Sequence, residues 1–66
     1  MKTLKEHPKA FLFHQAYANI PLGLRREIVA VVDGEPMTFH VIHLELQNKT
    51  VMGWKAVDQM VRIGIL

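Results

Sequence analysis

The dipeptide Asp33-Gly34 constrains the fold of this chain more than any other feature of its sequence. A two-residue hairpin turn needs positive φ at its central positions, which Asp tolerates and Gly adopts readily. The run before it, Ile28-Val29-Ala30-Val31-Val32, is short and rich in β-branched residues, as a strand requires. Pro36 follows at a position that suits a strand end or an unpaired backbone site. These signals predict a first strand over 25–32 and a second over 37–47, with a further turn at Asn48-Lys49.

Helices are predicted on both sides of the hairpin. Thr3 and Glu6 have the spacing of a capping box, but Pro8 would fall past the first turn of a helix begun there. The first helix is therefore placed from His7 or Pro8 to Ala18 or Asn19, with Pro21 preventing its continuation. Phe11, Leu12, Phe13, His14, Tyr17 and Ala18 spread its apolar surface over a wide arc. Thr50 is a suitable N-cap for a last helix from Val51 to Arg62 or Ile63, with Val51, Trp54, Val57 and Val61 on one face. Gly64 is placed just beyond its end, where a left-handed residue closes a Schellman motif. The expected fold is a single α+β domain over residues 1–66, ordered α-β-β-α, with a core that includes Phe11, Ile28, Val32, Phe39, Ile42, Leu44, Trp54, Val57 and Val61.

The second predicted strand raises a difficulty. Met37, Phe39 and Val41 share one parity and Ile42, Leu44 and Leu46 the other, so a regular strand is apolar on both faces. A bulge near Val41-Ile42 would bring all six to one side. The first strand is also apolar on both sides, which favours burial of both hairpin faces, one by helices and one by another subunit. Small size points the same way. A chain of 66 residues buries a modest core, and without cysteine it has no disulfide to support it. Half of its residues are hydrophobic, many for a small monomer to hide. The expectation is a homodimer or higher homo-oligomer, with Val29, Val31, Phe39, Ile42 and Leu44 at the interface.

Several function classes are disfavoured by the residue inventory. With no cysteine and no serine, thiolate metal sites and the commonest nucleophiles are excluded. His40 and His43, with Glu45 nearby, have metal-ligand chemistry and make a His-based metal-binding protein the weaker alternative. A regular strand sends residues three apart to opposite faces and only a bulge would reunite them, so no metal or other cofactor is assigned. His7 and His14 are too far apart along a helix to hold one ion alone. Trp54 is read as a core or interface anchor. Asp33 and Glu35 at a hairpin tip offer no pocket for acid–base catalysis, and the scattered glycines form no phosphate-cradling loop. The chain is not expected to be an enzyme.

The net charge of +2 is a modest basic surplus. Only Arg25 and Arg26 are adjacent cations, and Glu27 follows them. They define the alternative to an assembly module, a small nucleic-acid-binding regulator. The charged N-terminal residues read against a signal peptide, and the longest apolar run, 28–32, is too short to span a membrane. A cytoplasmic protein that binds itself, and possibly another protein, is the expectation.

Overall fold

A computed structural model describes residues 5–66; Thr3 of the capping-box spacing lies outside them. The elements run in the order α1 (Ala10–Asn19), a 3-10 helix (Leu22–Arg26), β1 (Ile28–Val32), β2 (Glu35–Thr38), α2 (Phe39–Gln47) and α3 (Val51–Arg62). The fold is α+β, with the hairpin turned at Asp33-Gly34 as the sequence predicts, where φ is 52° and 82°. Residues 8–9 form a turn before α1, so the helix begins slightly later than expected.

The second strand is the main correction. It ends at Thr38, and the segment expected to continue it is helical. Thr38 stops the strand because its hydroxyl accepts the Val41 N–H at 3.1 Å, satisfying an orphan donor of the helix start. The two parities that looked irregular for a strand are regular for a helix: Phe39, Ile42 and Leu46 form one stripe and all three are buried. The same N-cap chemistry recurs at the start of α3. Thr50 caps α3 through the Gly53 N–H, and both α2 and α3 close with a left-handed residue, Lys49 and Gly64. After each of these residues the next N–H returns to a carbonyl five residues back, Thr50 to Glu45 and Ile65 to Met60, which completes a Schellman motif.

The bulge also lies elsewhere than proposed. It falls in β1, where the register shifts between Ile28 and Ala30 and leaves Val29 as the extra residue. Ala30 and Val32 with Met37 then face inward and are buried beneath α2 and α3. Ile28, opposite Thr38, and Val31, opposite Pro36, share the outer face. The core is Phe13, Ala30, Val32, Met37, Phe39, Ile42, Leu46, Ala56, Val57 and Met60. Of the expected core residues, Val32, Phe39, Ile42 and Val57 belong to it. Trp54 and Val61 are half-buried, while Phe11, Ile28 and Leu44 are exposed. Helices α2 and α3 approach closely at Gly53, where a Cβ would lie 3.1 Å from the Glu45 carbonyl carbon and the Leu46 nitrogen.

Candidate functional site

Three of the four histidines belong to two aromatic clusters that differ in chemistry, while the exposed His14 pairs with Glu6 at 3.3 Å. The first cluster joins the segment before α1 to α3. His7 is buried, with its ring 4.7 Å from that of Trp54. The Lys9 N–H donates to His7 Nδ1 at 3.0 Å. Since a backbone N–H can only donate, Nδ1 is the acceptor, and Nε2 carries the proton that it donates to Asp58 Oδ1 at 2.6 Å. Trp54 Nε1 donates to the Lys5 carbonyl at 2.7 Å. A cavity of about 490 Å³ adjoins this group. The Asp58–His7 pair has the residue types of a general-base dyad, but the nitrogen that would take a proton is already occupied by the backbone. Both ring nitrogens hold structure together, and the one available lone pair, on Nδ1, is not left for catalysis or metal ligation.

The second cluster joins α1, the 3-10 helix and α2. Tyr17 is its centre. The His43 ring stacks on Tyr17 with centroids 4.3 Å apart and 9° between planes. The Arg25 guanidinium lies 4.2 Å from the Tyr17 ring centroid and donates from Nη2 to the Tyr17 carbonyl at 3.2 Å. The Tyr17 hydroxyl is 3.5 Å from His40 Nδ1, at the limit of a hydrogen bond. Two buried atoms here, Arg25 Nε and His43 Nδ1, have no hydrogen-bond partner among the described residues. Burial, with the neighbouring positive potential of His14, His40 and Arg25, holds the His43 pKa below its ordinary value of 6.5. Tyr17, Leu22, Arg25, Arg26 and His40 line a cavity of about 420 Å³ that has no carboxylate in its wall.

The helical form of α2 changes the reading of His40 and His43. Three residues apart on a helix, they lie on neighbouring turns of one side, toward α1. Glu45 does not join them; its Oε1 accepts the Thr50 hydroxyl at 3.1 Å, toward α3. Among the described residues, no group of three or more His, Asp or Glu side chains could hold a metal ion. The expected interface is also divided. Val31 is exposed and Val29 half-buried on the hairpin, and Leu44 is exposed on α2. Phe39 and Ile42 are consumed by the chain's own core, because α2 turns them under the sheet, and they leave the interface set. Arg25 and Arg26 are brought to one cavity. Sequence reasoning missed the roles of His7, Asp58 and Tyr17. His7 and Asp58 are 51 residues apart, and no local pattern links them.

The chain matches no known protein family, no curated protein and no solved structure. Among the described residues, no helix is long and apolar enough to cross a membrane.

Proposed function

We propose that this protein is a small assembly module that acts as a two-fold homodimer, closed through the outer face of its hairpin. The observation that carries the reading is the uncovered apolar surface of that face. Its inner side is packed against α2 and α3, whereas Ile28 is 60% and Val31 52% exposed, with Pro36 exposed directly opposite Val31. The strand register makes these three neighbours on one surface.

The hairpin's edges support face-to-face rather than edge-to-edge pairing. The outward N–H and C=O of Val31 are occupied by the Gln59 side-chain amide, at 2.7 and 2.8 Å. On the other strand Pro36 has no N–H to offer. Both edges are thus blunted against strand addition, a common protection of exposed edges. What remains is the apolar face, and a second copy presents the same patch in two-fold relation. A standard interface covers about 800 Å² per partner. That is under a fifth of the 4560 Å² surface of this chain, so polar residues around the patch would form the rim.

Sedimentation equilibrium at micromolar concentration tests the proposal. The expected species has twice the 7.6 kDa chain mass. Val31→Lys is expected to give a monomer with an unchanged far-UV spectrum, because the side chain is exposed and outside the core. A parent protein that sediments as a monomer would overturn the dimer, as would a Val31→Lys variant that still dimerises.

A further inference from the structure

The Tyr17 cluster carries an inference that is independent of self-association. We infer that the cavity lined by Tyr17, Arg25, Arg26 and His40 binds a phosphomonoester, with the two guanidinium groups as its principal ligands. The first support is charge. Neither arginine has a carboxylate partner among the described residues, and the cavity wall contains no acid. Uncompensated cations converging on one concavity raise the local concentration of anions.

The second support is preorganisation. Arg25 is held by its stack on Tyr17 and by the bond from Nη2 to the Tyr17 carbonyl, so little freedom remains for a ligand to remove. The Tyr17 hydroxyl, only marginally engaged by His40, is a further donor at the same wall. The Arg26 fork, the remaining guanidinium N–H groups of Arg25 and the Tyr17 hydroxyl offer more donors than a carboxylate's two oxygens can accept, and they suit the three terminal oxygens of a phosphoryl group. The volume of about 420 Å³ falls within the range of small-ligand sites, about 300–1,000 Å³, and leaves room for the organic part of the ester.

Isothermal titration calorimetry with inorganic phosphate, adenosine, adenosine 5′-monophosphate and an unphosphorylated DNA decamer tests the assignment. Phosphate and the monophosphate are expected to bind, and adenosine is not. Arg26→Ala removes an exposed side chain and should weaken the monophosphate at least tenfold with the far-UV spectrum unchanged. Arg25→Lys keeps the charge but loses the fork and should weaken it similarly. No heat with either phosphate compound at millimolar concentration would overturn the site, as would undiminished binding by Arg26→Ala. Adenosine binding equal to that of its monophosphate would assign the cavity to the base. Tighter binding of the decamer than of the monophosphate would assign the arginines to a polymer backbone. Either result also overturns the proposal.

Discussion

The His7 and His43 clusters are built from similar parts and do opposite things with them. Each packs an imidazole against a larger aromatic ring, tilted by 58° on Trp54 and nearly parallel on Tyr17, and joins elements distant in sequence. Around His7 the bonds close: one ring nitrogen accepts the Lys9 N–H and the other donates to Asp58. Around His43 they stay open, with an imidazole nitrogen and a guanidinium nitrogen buried and unpaired among the described residues, and positive rather than negative neighbours. A closed polar network rigidifies a small fold, whereas an open one costs stability and is maintained where a site needs it. By this contrast the first cluster is a staple and the second a place for a ligand.

Substitution at the staple gives the largest expected effect. His7→Ala removes a buried ring, leaves the Lys9 N–H without its acceptor and uncovers Trp54. It should lower unfolding free energy by about 2–4 kcal/mol, read as a shifted urea midpoint. A shift below about 0.5 kcal/mol would mean that the N-terminal segment contributes little to the fold.

At the open cluster the same kind of change should have the opposite sign. His43→Phe keeps the stack on Tyr17 and deletes the unpaired nitrogen, so the variant is expected to be about 1 kcal/mol more stable at neutral pH. The difference should grow on acidification. The folded-state pKa of His43 lies below 6.5, so as pH falls through 6.5 the unfolded chain takes up a proton before the folded protein does. Parent stability therefore drops below pH 6.5 relative to the variant, until His43 protonates in the fold as well. Paired denaturation curves across pH 5–8 measure this difference. A gap that is constant with pH would show that His43 titrates normally.

The smallest effect is expected at Asp58. Asp58→Asn keeps an oxygen to accept from His7 Nε2 and loses only the charge, on a side chain 57% exposed. A change below about 1 kcal/mol is expected from thermal or urea unfolding. A loss as large as that of His7→Ala would make the ion pair, rather than ring burial and the Lys9 bond, the source of the staple's strength.

The elements differ sharply in how legible they are from sequence. Helix α3 announces itself through Thr50 at its start and Gly64 beyond its end, and the structure keeps both. Its buried stripe is Gly53, Ala56, Val57 and Met60, so of the expected face only Val57 is fully buried and Val51 is exposed. Helix α2 has equivalent signals in Thr38 and in the Phe39, Ile42, Leu46 spacing. They are masked because its β-branched and aromatic content suits a strand and because it follows β2 without a loop. Its C-terminal signal is also weak, since Lys49 rather than Gly takes the left-handed position. The conflict of parities in the expected second strand was the mark of a wrong period: apolar residues that fit neither face of a strand fit one side of a helix. Misreading α2 also separated His40 from His43 and kept Phe39 and Ile42 in a surface role.

Local chemistry by itself determined the hairpin turn, the two outer helices and the last helix's ends, because φ preferences and capping act over a few residues. It also marked Arg25 and Arg26 as the chain's adjacent cations. Tertiary structure alone decided that the chain after Thr38 coils, since only as a helix can Phe39, Ile42 and Leu46 all reach one core. It likewise decided that Gln59 would cover the edge of β1, that His7 would meet Asp58 across 51 residues, and that Tyr17 would gather Arg25, His40 and His43. These pairings depend on how whole elements cross. The crossing is set by the sum of many packing contacts, and no short stretch of sequence contains that sum.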